Sequence, residues 1–197
     1  MSAPIRSDHS SVADDLDQLL LDAGRVEFET YGVRRTNVDD IAKRAGVSRS
    51  TLYRKFPNKD ALLTQVFLRE VNSFFDALDK AAEGNDPRSA VVESFTLGVR
   101  LAQEIPLFAR LLQSEPEIIL GIGSATRGLH IVTASNRIAE TLRRSGAQMN
   151  DRDLRAVAEI LLRIALSLML NPHGELDITN TLEVRRYTER YLSHLVR

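Results

Sequence analysis

The sequence predicts an all-α protein of about nine helices, and three observations lead there. Apolar residues recur at three- and four-residue steps in nearly every long segment, the spacing of one helix face. Capping residues and Gly or Pro breaks divide those segments at helix-like lengths. No run of alternating β-branched residues makes a convincing strand. At 197 residues the chain can bury a sizeable core, as one large domain or two small ones.

Each element can be justified in turn. Leu16, Leu19, Leu20, Ala23, Val26 and Phe28 mark a first helix that stops before Tyr31-Gly32, where Gly suits a helix C-terminus. Asn37 is placed to cap a short second helix ending at Ala45-Gly46, with Asp40 approximating the partner in a capping box. Ser48 can cap a third helix, Arg49 to Lys55, closed by Phe56-Pro57. Asn58 caps a long fourth helix with Leu63, Phe67, Val71, Phe74 and Leu78 on one stripe. The run Glu83-Gly84-Asn85-Asp86-Pro87 is a break and, by composition, the best candidate boundary between domains. Further helices are expected near 88–103, 106–114, 117–145, 151–170 and 179–196, with Gly121 and Gly123 interrupting the third of these.

Composition narrows the function classes. The absence of Cys excludes disulfides and thiolate metal sites and fits a cytoplasmic protein. The longest stretch without Lys, Arg, Asp or Glu, Ile164 to Gly174, falls well short of the ~18 apolar residues of a membrane span. The first 15 residues have no apolar core and no cleavage-like site, so no secretory signal is expected.

A net charge of −1 argues against a nucleic-acid partner only while it is averaged over the whole chain. Residues 1–33 carry −5, whereas residues 34–59 carry eight basic and two acidic side chains, a net +6. Within that block lies Ile41-Ala42-Lys43-Arg44-Ala45-Gly46-Val47-Ser48-Arg49-Ser50-Thr51-Leu52-Tyr53-Arg54-Lys55-Phe56. Two short helices around a Gly turn make a helix-turn-helix. Ala42 and Ala45 are small enough for close helix approach, and Gly46 can take positive φ without a Cβ penalty. Ile41, Val47, Leu52 and Phe56 supply the apolar wedge. The exposed face of the second helix then shows Arg49, Ser50, Thr51, Tyr53, Arg54 and Lys55, donors suited to phosphates and base edges in a major groove. Lys59 falls in the first turn of the fourth helix, where the dipole opposes a cation unless a phosphate lies nearby.

The residues Gly32-Val33-Arg34-Arg35-Thr36-Asn37-Val38-Asp39-Asp40-Ile41-Ala42, then Ala45-Gly46-Val47-Ser48, Thr51-Leu52-Tyr53, Phe56-Pro57-Asn58-Lys59 and Leu62, closely resemble the TetR family of transcriptional regulators. The resemblance implies a DNA-binding domain over 14–72, with its helix-turn-helix at about 37–56, and a dimerisation and ligand-binding domain over 73–197. It also implies that Thr36, Tyr53 and Lys59 contact phosphates, while Arg49, Ser50 and Thr51 face bases. Arg54 and Lys55 stand where many members carry histidine or other polar residues, and Gly24 stands where alanine is usual.

The second half matches no catalytic constellation, no nucleotide-binding Gly motif and no metal-ligand spacing among His9, His130, His173 and His194. No enzyme activity, cofactor or metal is therefore expected. Leu154 to Leu170 is apolar on more than one face, and Leu182, Val184, Tyr187, Tyr191, Leu192 and Leu195 offer a second apolar face. Helices 151–170 and 179–196 are accordingly expected to pair with their two-fold mates in a homodimer. Phe95, Phe108, Leu111, Leu112 and His130 lie on the helices that enclose the family's pocket, which suggests a small apolar effector. The combined expectation is a homodimeric repressor on a palindromic DNA operator, released by an effector. The rival classes are a small helical enzyme and a binding module without DNA affinity. The first lacks a polar constellation, and the second does not fit a basic recognition helix.

Overall fold

The computed structural model describes residues 8–119 and 129–197, and within them all regular structure is helical. Its elements are α1 (Asp8–Tyr31), α2 (Val38–Arg44), α3 (Arg49–Lys55), α4 (Lys59–Ala82), α5 (Pro87–Glu104), α6 (Pro106–Ser114), α7 (Leu129–Arg144), α8 (Asp151–Leu170) and α9 (Thr181–Tyr187). Residues 116–119 are also helical. The interruption expected at Gly121 and Gly123 lies outside the described residues. The chain divides into two compact units between Val71 and Asn72, a point that falls within α4. The break at 83–87 is therefore not the boundary suggested by composition. It is the turn between α4 and α5, inside the second unit, with Gly84 at φ 75°.

The first unit is built from caps and one apolar seam. Asn37 accepts from the Asp39 N–H, Ser48 from the Thr51 N–H, and Asn58 from the Ala61 N–H, so each short connection ends in a side-chain cap. The predicted reach-back from Asp40 is not seen; its own N–H donates to the Asn37 carbonyl. Leu20, Phe28, Ile41, Leu52, Leu62 and Val66 are completely buried. Leu19, expected on the inner stripe of α1, is exposed instead. The inward face keeps Leu20, Ala23 and Phe28 of the predicted stripe and adds Leu21 and Glu27. At Gly24, α1 lies so close to α4 that an added Cβ would stand 3.3 Å from Leu62 Cδ2 and 3.4 Å from Val66 Cγ2.

In the second unit α5 is the central element, packed by α6, α7, α8, α9 and the C-terminal turns, while α7 and α8 form a close pair. Its start is set by Asp86, whose carboxylate accepts from the Arg88 and Ser89 N–H groups and the Ser89 hydroxyl. Those hydrogen bonds, led by the Ser89 hydroxyl, hold the Asp86 pKa below the ordinary aspartate range. The core joins Val91, Phe95 and Val99 of α5 to Ala139 and Leu142 of α7 and to Leu154, Ala158 and Leu161 of α8.

The final helix departs from the uniform 179–196 segment expected. It begins at Thr181, widens to a π turn over Thr188–Leu192 and ends as a 3₁₀ turn over Ser193–Leu195. Along this segment Val184, Thr188, Leu192, Ser193 and Val196 are buried, while Leu182 and Tyr191 are exposed.

Candidate nucleic-acid interface and interior cavity

The helix-turn-helix is assembled from the core outward. Ile41 and Ala42 of α2 are buried, Leu52 is the fully buried residue of α3, and Gly46 makes the turn at φ 67°. The Val47 N–H closes that turn on the Ala42 carbonyl at 3.0 Å. Because Leu52 alone of α3 faces the core, its remaining side chains are carried on the outer faces.

Six of the predicted residues are thereby displayed on one short helix, each in its own setting. Arg49 and Arg54 are exposed, as is Ser50. Arg49 Nη1 donates to Asp39 Oδ2 at 3.0 Å, and its Cζ lies 5.3 Å from the centre of the Tyr53 ring. The Ser48 hydroxyl lies 2.9 Å from both the Ser50 and the Thr51 hydroxyls. Lys55 turns toward α1 and forms an ion pair with Asp17 at 2.7 Å.

Thr36 and Lys59 are placed differently from the α3 set. Thr36 is buried, and its hydroxyl donates to the carbonyls of Gly32 at 2.7 Å and Glu27 at 3.1 Å. Lys59 Nζ donates to the Val33 carbonyl at 2.8 Å, the Thr36 carbonyl at 3.1 Å and the Arg34 carbonyl at 3.4 Å. Three carbonyl dipoles thus offset the unfavourable position of a cation at the start of α4. Together the two side chains hold the loop between α1 and α2. A further brace escaped the sequence reading: Glu27 is buried in α1, yet its Oε1 accepts from Arg44 Nε at 2.7 Å. The available signal was a glutamate one position before Phe28 on the inner face, since a buried carboxylate requires a partner.

The second unit contains an apolar cavity of about 100 Å³ between α4, α5, α7 and α8. Phe74, Phe75, Phe95, Val99, Leu161 and Met169 are among its walls. The polar groups at its edge are already engaged: Ser94 donates to the Leu78 carbonyl, and Thr141 donates to Asp79, which also accepts from Arg137. Of the five residues expected around a pocket, Phe95 lines this cavity. Phe108 meets the wall residue Phe74 edge-on at 5.7 Å, Leu111 is fully buried, and Leu112 is half-buried. His130 is half-buried on α7, with its Nε2 out of solvent and without a hydrogen-bond partner among the described residues. Among the described residues no cluster of three His, Asp or Glu side chains could hold a metal ion, and no helix is long and apolar enough to cross a membrane.

An exposed basic helix on a Gly turn, braced by a capped bundle, defines the helix-turn-helix class of regulatory proteins. Comparison with known families agrees: residues 20–66 match the family described as bacterial regulatory proteins, TetR family, and residues 86–182 match the tetracycline repressor C-terminal domain family. The chain belongs to the TetR family, a family of transcriptional regulators rather than enzymes. Curated relatives include the HTH-type transcriptional regulator EthR of Mycolicibacterium smegmatis, 31% identical over 53% of this chain and 51% of that protein. The HTH-type transcriptional regulator RutR of Escherichia coli is 29% identical over 49% of this chain and 45% of that protein. The chain thus spans about half the length of these relatives. Among solved structures, the TetR family repressor AlkX from Dietzia sp. superimposes with a TM-score of 0.68 over 91% of this chain and 94% of that one, at 23% identity. That likeness is one of fold.

Proposed function

We propose that the protein is a homodimeric, sequence-specific DNA-binding regulator, a repressor acting in the cytoplasm on a palindromic operator. The observation that carries this reading is α3 itself, a helix fixed by one buried residue in a +6 block. It exposes Arg49, Ser50 and Arg54 and half-exposes Thr51 and Tyr53, while Lys55 turns toward α1. The N-terminal residues of such a helix reach base edges, and the rest meet the backbone. Thr36 and Lys59 enter this reading chiefly by shaping the loop beside α2. Selection of bound fragments from random DNA tests it: a two-fold symmetric motif with half-sites about one helical turn apart, or a multiple of that, is expected. Tyr53→Phe should weaken binding to all sequences and lower its salt slope, whereas Arg49→Ala should relax base preference. Equal loss on specific and random DNA for Arg49→Ala would overturn that division of roles.

Two features support the rest of the reading. Ile160 on α8, and Leu182 and Tyr191 of the C-terminal segment, are large apolar side chains left in solvent, at 45%, 64% and 56% exposure. Helices 151–170 and 179–196 are the proposed dimer interface on that account. The cavity is the proposed effector site, and an occupant lacking charge suits walls with no polar group free. An effector lowers operator affinity only through its different affinity for the DNA-competent and DNA-incompetent states.

A further inference from the structure

Within the +6 block of residues 34–59 there are two carboxylates, Asp39 and Asp40, and a surface that meets a polyanion gains nothing from either as a charge. Both lie in the first turn of α2, where the helix dipole favours an acid. Asp40 makes no side-chain ion pair among the described residues, but Asp39 does something more: it accepts from Arg49, the first residue of α3, across the turn. That pair is exposed on both sides, at 64% for Arg49 and 47% for Asp39. Exposed pairs of this kind add little to stability, so holding α2 to α3 does not account for it. What it does fix is the direction of a guanidinium that would otherwise sample many rotamers.

We infer that Asp39 is a positioning residue for base recognition, and that the Arg49 it holds reads a guanine in each half-site. The inference rests on the reading of α3 as a DNA-binding helix. Arg49 is restrained twice, by the Asp39 carboxylate at its edge and by the Tyr53 ring 5.3 Å from its Cζ. A planar group held at one edge and beside a ring samples fewer orientations than a free one. A guanidinium carries five N–H donors, and the bond to Asp39 uses one of them. The others still include a parallel pair, the fork that matches guanine O6 and N7 and no other base edge so well. Pre-ordering this side chain removes much of the rotamer entropy that a free arginine would lose on docking. Tyr53 thereby has a ring function separate from its hydroxyl.

The test is selection from random DNA with the full chain, run in parallel for the native protein, Arg49→Ala, Asp39→Asn, Asp39→Glu and Tyr53→Phe. The native protein should enrich a half-site containing one guanine whose preference falls about tenfold in both Arg49→Ala and Asp39→Asn. Other positions of the half-site should hold. Asp39→Glu should restore part of the preference, and Tyr53→Phe should keep it while binding all sequences less tightly. Asp39→Asn should melt within about 2 °C of the native protein and bind random DNA at least as tightly, because a negative charge has gone. Full guanine preference in Asp39→Asn, equal relaxation at every position, or a native motif with no Arg49-dependent guanine would overturn the inference while leaving DNA binding intact. A native protein that enriches no sequence would overturn the DNA-binding reading itself, and this inference with it.

Discussion

Gly46 sits at φ 67° with nothing within 4 Å of where a Cβ would stand. Its requirement is therefore conformational alone, and Gly46→Ala should destabilise the protein by about 1–2 kcal/mol through backbone strain. Urea unfolding would show this as a lower midpoint at unchanged slope. Lys59 works in the opposite way, through contacts. Removing its ammonium leaves three loop carbonyls without their donor, and Lys59→Met should cost about 1–3 kcal/mol. Lys59→Arg should not restore the full value, because a planar fork cannot converge on the same three oxygens as a compact ammonium. Sequence reasoning could see both residues as out of the ordinary. It explained Gly46 by the turn, since that constraint is local. It did not foresee the carbonyls of Val33, Arg34 and Thr36 around Lys59, which lie 23 to 26 positions away along the chain.

At the scale of elements, the limits of the short helices were legible because caps are written locally. Asn37, Ser48 and Asn58 each begin the helix that follows, and Pro57 follows the end of α3. The inward face of α1 was harder. Leu19, Leu20 and Leu21 are adjacent leucines, and apolar character alone does not say which of them points inward. Glu27 resolves the rotation only once Arg44 is known to reach it. The π turn of the last helix was illegible for a related reason, since no residue type marks a one-residue widening. Asp86 permits a pH test of an element boundary. Its folded pKa is depressed by bonds from Ser89 and Arg88. The stability it adds to the start of α5 is therefore present above the ordinary aspartate range and lost as pH falls through the lowered value. Asp86→Asn should flatten that part of the acid-unfolding curve, measured by circular dichroism, and lower stability from neutral pH upward by an amount that does not vary with pH.

For the whole molecule, the charge distribution and the apolar distribution lead to one expectation each. The basic block belongs to the first unit, and the large exposed apolar side chains of α8 and the C-terminal segment belong to the second. If the second unit supplies the dimer contact, Leu182→Arg combined with Tyr191→Arg should give a monomeric mass by light scattering at micromolar concentration. Helical content should be retained, because neither side chain is packed in the core. Operator affinity should fall by at least tenfold as the second half-site is lost, while affinity for a single half-site should hold. A double variant that stays dimeric would place the contact elsewhere. Family membership was readable from residues 32–62 because a helix-turn-helix is specified by a fixed local spacing of small, apolar and capping residues. The cavity was not, because its walls come from four helices spread over residues 74–169.

That cavity has a mechanical side as well. An apolar pocket of about 100 Å³ with no polar group free to hold water is loosely filled space that unfolding removes. The second unit should therefore yield to hydrostatic pressure, with a negative unfolding volume to which this space contributes. Gly98 opens onto it, and a methyl placed there would meet Phe74 at 3.5 Å and Leu78 at 3.6 Å, ordinary contact distances. Gly98→Ala should gain about 1 kcal/mol from helix propensity, and it should raise the pressure midpoint by more than that gain alone accounts for. In compressive terms, the space proposed to take a small molecule is also one that the second unit gives up under pressure.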